Sequence, residues 1–240
     1  MRRDLLILGV LWIGASLILI VLANRVQFFP FAAAREAVVA DSAFRLLLLM
    51  AAPVFALVLT VLVYSLVRFR GRGDPPDDAP YVREHPGVAR AWFVITSALA
   101  IYVMYNPGLV GIAEMRGEHR ADFVVRVEAA RWFWKFSYPQ HGITARELVL
   151  PVGRRVRFEV TAVDVLHSFW VPAFRTKIDA VPGMTTTLYV TPTAVGSTPD
   201  DFNLRVQCAE LCGVAHDVMR TPMKILGQAE FDAWAKAQKP

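Results

Sequence analysis

Three stretches without a single charged residue, at 5–23, 46–67 and 91–112, constrain this chain more than anything else in it. At a helical rise of about 1.5 Å per residue, runs of roughly 20 apolar residues match the ~30 Å hydrocarbon core of a bilayer. With 55% of its 240 residues hydrophobic, the chain carries more apolar side chains than a soluble domain needs, and the excess sits in these runs. No comparable run follows residue 114. The expected organisation is a membrane-embedded first half and a soluble half over 114–240.

The first run has two readings. Arg2 and Arg3 precede it and Val21-Leu22-Ala23 resembles a signal-peptidase site, so residues 1–23 are either a cleaved signal or a first transmembrane helix. Orientation follows from the arginines. Arg68, Arg70, Arg72, Arg83 and Arg90 lie between the later runs, whereas the segment 24–44 carries only Arg25 and Arg35. Positively charged loops stay in the cytoplasm. The segment 24–44 is therefore a short external stretch. Residues 45–113 form a transmembrane hairpin with a cytoplasmic loop at 68–90, broken by Gly71, Gly73, Pro75, Pro76 and Pro80. The soluble half then faces the periplasm or outer side of a bacterial plasma membrane. Its charge is nearly balanced, with 16 basic and 14 acidic residues over 114–240. The arginines are explained by topology, and nucleic acid is excluded as a partner.

The soluble half reads as short strands. Val156, Phe158 and Val160 alternate with Arg155, Arg157 and Glu159, and Phe202, Leu204, Val206 and Cys208 alternate with Asn203, Arg205 and Gln207. This period of two marks half-buried strands and aims Cys208 at the core. Turn signals at Pro151-Val-Gly153, Val181-Pro-Gly183 and Gly196-Ser-Thr-Pro199 separate further strands, which predicts a β-sandwich or Greek-key barrel. Residues 228–238, with Phe231 and Trp234 at helical spacing, predict a short closing helix.

Chemistry concentrates in Cys208-Ala-Glu-Leu-Cys212-Gly-Val-Ala-His216-Asp-Val-Met219, which holds the only two cysteines of the chain. A second histidine, His167, lies upstream. Outside the cytoplasm two cysteines ordinarily make a disulfide, and Cys2His2 is a common zinc set. Thiolates, imidazoles and a thioether together are the ligands that copper prefers. Two thiolates can bridge two copper ions, each ion keeping one histidine, with Met219 as a weak axial ligand.

This constellation resembles the binuclear copper domain of cytochrome c oxidase subunit II, a cupredoxin-like subunit of haem–copper oxidases. The resemblance covers most of 45–226, and all six ligand positions match the family's spacing. It implies His167, Cys208, Cys212, His216 and Met219 as side-chain ligands of two copper ions and Glu210 as a ligand through its backbone carbonyl. It also implies that the Glu210 side chain reaches a magnesium ion at the interface with the catalytic subunit. Arg131-Trp-Phe-Trp-Lys-Phe-Ser-Tyr-Pro139 looks like the family's aromatic segment, whose first tryptophan, Trp132 here, receives electrons from cytochrome c. Trp134, Phe136 and Tyr138 read as packing residues. Asp164 falls where the family places an acidic docking residue, and Asp179 in a segment near the subunit interface.

The resemblance implies a single-electron relay from cytochrome c, or another small periplasmic donor, to haem in catalytic subunit I, with further membrane subunits attached. Oxygen reduction and proton translocation would occur in that partner. Two departures stand out. Well-known oxidases carry a glutamate three residues before the tryptophan matched by Trp92, at the mouth of a proton path, where this chain has Ala89. The balanced charge also differs from the family's often acidic docking surface. A copper-containing nitric oxide reductase subunit is thus one alternative, and a membrane-tethered copper carrier another. A quinol oxidase subunit is disfavoured, because that branch has lost these ligands.

Overall fold

The computed structural model describes residues 2–71, 85–116 and 121–238. Most of the loop expected at 68–90 falls in 72–84, outside the described residues. The chain divides into two units, residues 1–27 with 42–112, and residues 28–41 with 113–240.

The first unit is helical. Helices α1 (Arg2–Arg25) and α2 (Arg35–Arg68) are followed by α3 (Pro86–Val103), a π-helical turn (Met104–Leu109) and α4 (Val110–Arg116). Among the described residues, three helices are long and apolar enough to cross a membrane: α1, α2 and the stretch Pro86–Met115. The third is interrupted at Asn106, whose backbone leaves helical space (φ −133°, ψ 113°). Its neighbour Pro107 crowds the helical conformation of the preceding residue, which accounts for the break. In an apolar surrounding each polar group needs an internal partner. Trp12 Nε1 donates to the Pro53 carbonyl at 2.8 Å, and Asp4 accepts from Tyr64 at 2.7 Å and Arg68 at 3.2 Å.

The second unit is a two-sheet β-sandwich. One sheet runs β3 (Ile143–Ala145), β2 (Phe133–Tyr138), β1 (Phe123–Ala130), β5 (Val156–Ala162), β8 (Thr186–Val190). The other runs β4 (Leu148–Pro151), β11 (Arg220–Leu226), β10 (Arg205–Cys208), β6 (His167–Val171), β7 (Thr176–Ala180), with β9 (Gly196–Ser197) beside β11. The pairs β1–β5 and β4–β11 are parallel, so the chain crosses between sheets in the Greek-key manner expected of a cupredoxin-like fold.

Period-two patterning sets the core. β5 buries Val156, Phe158, Val160 and Ala162 and turns the intervening residues outward. β1 and β2 add Phe123, Val125, Val127, Trp134, Phe136 and Tyr138, and α5 (Gln228–Ala237) closes the end with the fully buried Phe231. The alternation anticipated from Phe202 to Cys208 holds only from Leu204 onward. Phe202 precedes β10 in a turn fixed by Asp201, and it is exposed, with the guanidinium of Arg205 3.9 Å from its ring centroid.

Residues 28–41, anticipated only as part of an external stretch, belong to this unit. Ala33, Ala34 and Ala37 are fully buried in its core. Glu36, also buried, accepts from the Thr191 amide and faces Arg155, while Arg175 binds Asp41 through both nitrogens of its fork. Arg175 sits at φ 56° and also donates to the carbonyls of Pro30, Phe31 and Pro172. A buried charge persists only when paired and hydrogen-bonded, and both of these are.

Candidate metal centre

The sandwich brings two distant pieces of chain to one end. His167 opens β6 and Cys208 closes β10, and these strands pair antiparallel with Cys208 opposite Phe169. The loop 209–219 then folds back, helped by Gly213 at φ 120°, a conformation side chains rarely adopt. The Cys208 amide donates to the Met219 carbonyl at 3.0 Å, which closes the loop at its base. Ala209 likewise donates to Ser168, locking the loop to β6.

All six residues anticipated as ligands meet where this loop joins β6 and β10. Cys208 Sγ and Cys212 Sγ lie 3.8 Å apart. A disulfide requires about 2.05 Å, and both cysteines are free. Each sulfur has its own imidazole: Cys208 faces His167 Nδ1 at 3.8 Å and Cys212 faces His216 Nδ1 at 3.6 Å. Met219 Sδ is 3.7 Å from Cys212, and the Glu210 carbonyl is 3.2 Å from Cys208. The ligand atoms of His167, Cys208 and Cys212 all lie within 4.8 Å of one another, and all three residues are buried. Met219 is fully buried too, while His216 and Glu210 are half-buried.

The electrostatics disfavour charge on the metal-free sulfur of Cys212. Burial, and then the neighbouring Cys208 sulfur, pushes the Cys212 thiol up to about 11. The thiolate is the ligating form, so metal binding at this site releases protons. The donor set therefore fits soft metal ions: two sulfurs shared between two imidazole nitrogens, a thioether and a carbonyl.

Asp164 is more than a solvated surface acid. Its Oδ1 accepts from His167 Nε2 at 2.9 Å and from the Val165 amide at 2.7 Å; its Oδ2 accepts from the Arg131 amide at 2.8 Å. Partial burial opposes ionisation, but the hydrogen bonds from His167, Arg131 and Val165 outweigh it and hold the carboxyl near 2. A carboxylate can only accept, so Nε2 carries a proton and Nδ1 is the ring nitrogen turned toward Cys208. Local spacing hides this role, because Arg131 and Asp164 are 33 residues apart.

Trp132 occupies the turn between β1 and β2, 38% exposed. Its indole lies on the loop 209–219: a Cβ at Gly213 would sit 3.3 Å from Cζ2 of the ring. Trp134, Phe136 and Tyr138 are buried packing residues, and Trp134 meets the His167 ring edge-on at 6.3 Å between centroids. Around the loop, Leu211, Val214 and Val218 are exposed, Val214 almost entirely.

A family model described as cytochrome c oxidase subunit II, periplasmic domain, matches residues 143–226. The cytochrome c oxidase subunit 2 of Thermostichus vulcanus is 38% identical over 185 residues, covering 72% of this chain and 54% of that protein. The protein of the same name from Synechocystis is 30% identical, covering 88% of this chain and 76% of its relative. The chain thus spans about half the length of the first relative and three quarters of the second. Among solved structures, the periplasmic domain of subunit II of a Bradyrhizobium japonicum cytochrome oxidase has a TM-score of 0.46 at 28% identity, covering 50% of this chain and 94% of that one. An amicyanin variant has a TM-score of 0.26 at 18% identity, covering 45% of this chain and 87% of that one.

Proposed function

From the premise that this chain belongs to the cytochrome c oxidase subunit II family, we propose that it is the electron-input subunit of a respiratory haem–copper oxidase. The observation that carries the reading is the pair of free thiols 3.8 Å apart, each facing the Nδ1 of a different histidine. His167, Cys208, Cys212, His216 and Met219 would hold two copper ions through their side chains, and Glu210 through its carbonyl. When bound, the copper pair supplies a one-electron acceptor that hands the electron on.

The protein's own residues prepare that role. Asp164 fixes the tautomer and rotation of His167, so the ring nitrogen facing the sulfurs is free to bind metal. The buried wall of Trp134, Phe169 and Met219 keeps the centre dry, which limits solvent reorganisation when charge changes. Trp132 covers the loop at Gly213 and presents part of its ring to solvent, giving a donor a short path to the ligands. No proton transfer is required of this chain.

The exposed Leu211, Val214 and Val218 would be covered by partner protein, because monomeric surfaces rarely leave such clusters bare. The partner expected is the haem-bearing catalytic subunit, with magnesium at the interface held by the Glu210 carboxylate. The three apolar helices would anchor the chain in a bacterial plasma membrane, with α1 tied to α2 by Trp12 and Asp4. The test is metal analysis of the purified full chain with and without Cys208→Ser. Two coppers per chain, lost in the variant, support the reading; copper retained by the variant refutes it.

A further inference from the structure

The sandwich carries two outward aromatic rings at the place where the chain enters it. Residues 28–31, Phe-Phe-Pro-Phe, open the segment that supplies the buried Ala33, Ala34 and Ala37. Phe28 is 51% exposed and Phe31 45%, although the backbone around them is held fast. Ala33 donates to the Ala173 carbonyl and accepts from the Thr193 amide, and the Arg35 amide donates to the Thr191 carbonyl. The Arg175 guanidinium adds bonds to the carbonyls of Pro30 and Phe31 while it grips Asp41. The fold therefore fixes this loop with the Phe28 and Phe31 rings outside the core.

What can cover these rings follows from their distance to the apolar runs. Arg175 bridges the Phe31 carbonyl to Asp41, so the two residues lie close together. Asp41 stands five residues before Leu46, where the uncharged run of α2 begins, and five residues of helix rise about 7.5 Å. Any tilt of α2 lowers that height. Phe28 stands three residues beyond Arg25, the end of α1, and so at most about 11 Å from it. The headgroup layer is about 5–8 Å deep on each side of the hydrocarbon core. Both rings thus fall near the level of the headgroups. Charge agrees with that setting. Arg25 and Arg35 flank the loop and are exposed, whereas the acids beside it, Glu36 and Asp41, are paired with Arg155 and Arg175. Phenylalanine and arginine are groups that settle together at a bilayer boundary.

We infer that Phe28 and Phe31 lie in the outer-leaflet headgroup layer and seat the β-sandwich on the phospholipid surface. The inference rests on the membrane anchoring proposed above.

The test uses the full chain in nanodiscs of phosphatidylcholine and phosphatidylglycerol. Phe202 is the reference, being a comparably exposed phenylalanine of the sandwich, at 56%, outside this loop. In the unsubstituted chain, hydroxyl radicals should oxidise Phe28 and Phe31 several-fold more slowly than Phe202. Photoreactive benzoylphenylalanine in place of Phe28 or Phe31 should form adducts of phospholipid mass. The same probe in place of Phe93, exposed on the third apolar helix, should do so too, and in place of Phe202 it should not. In the assembled oxidase complex the probes at 28 and 31 should still capture lipid.

Oxidation of Phe28 and Phe31 at the Phe202 rate overturns this inference alone, as does the absence of lipid adducts at 28 and 31 while Phe93 captures lipid. Adducts to another subunit in place of lipid also overturn it, because they assign the loop to a protein interface. A chain that captures no lipid at Phe93 overturns the membrane anchoring, and this inference with it.

Discussion

Replacing Asp164 with alanine is the most informative single change, because one carboxylate serves both the metal ligand and the inlet turn. Its three hydrogen bonds differ in what their loss exposes. The Arg131 and Val165 amides lie in a partly exposed stretch and can turn to water, so each contributes only about 0.5 kcal/mol. His167 is fully buried, and its Nε2–H would lose its partner without a replacement. Leaving a buried donor unsatisfied costs about 1–3 kcal/mol. The expected loss of folding stability is therefore about 2 kcal/mol, discounted from the sum of three charged hydrogen bonds because the Asp164 side chain remains 30% exposed. Freed from the carboxylate, the ring can also rotate or change tautomer, which removes Nδ1 from its place 3.8 Å from Cys208. Loss of such an orienting partner typically weakens metal binding 10–100-fold. Urea unfolding of the metal-free protein gives the first quantity, and chelator competition with the loaded protein gives the second. Asp164→Asn, which keeps an acceptor, should fall between. If Asp164→Ala binds copper as tightly as the parent and unfolds at the same urea concentration, the orienting role is wrong.

Other outcomes follow from the same geometry. Gly213→Ala places a Cβ 3.3 Å from the Trp132 ring at a strained φ of 120°, costing about 1–3 kcal/mol. It should shift Trp132 and slow electron input while copper content is kept, as stopped flow and metal analysis will show. Tyr138→Phe leaves the buried Val149 amide without the hydroxyl that accepts from it at 2.9 Å. It should cost about 1–3 kcal/mol in urea unfolding and leave the copper spectrum untouched. In the metal-free protein the Cys212 thiol is raised by burial from 9.0 to about 11. A raised folded value means that this contribution to stability is complete below the unfolded value and lost as pH climbs through about 11. Unfolding midpoints measured from pH 8 to 11 should therefore fall for the metal-free protein, and the fall should shrink in Cys212→Ala.

The candidate ligands were legible because five of the six lie within twelve residues, where spacing alone nearly fixes which side chains can converge. Strand β5 was legible for the same kind of reason: its burial alternates residue by residue. What escaped the sequence depends on contacts across long separations. Residues 28–41 read only as part of a short external stretch because their small apolar residues carry no period. Their place in the core is set by Arg175, 134 residues from its partner Asp41. Asp164 reads in sequence only as a docking acid, and the fold instead brings His167 and Arg131 to its two oxygens. Phe202 followed the strand alternation in sequence, but its turn and two stacked arginines hold it outside.

The central claim is that two free thiols are held ready for a shared pair of copper ions. Metal analysis of the purified full chain, combined with electron paramagnetic resonance of the same sample, tests it most directly. The account predicts two coppers per chain and one unpaired electron spread equally over both nuclei. A single copper with a localised signal, or a metal-free chain two hydrogens lighter because Cys208 and Cys212 have joined, would contradict it.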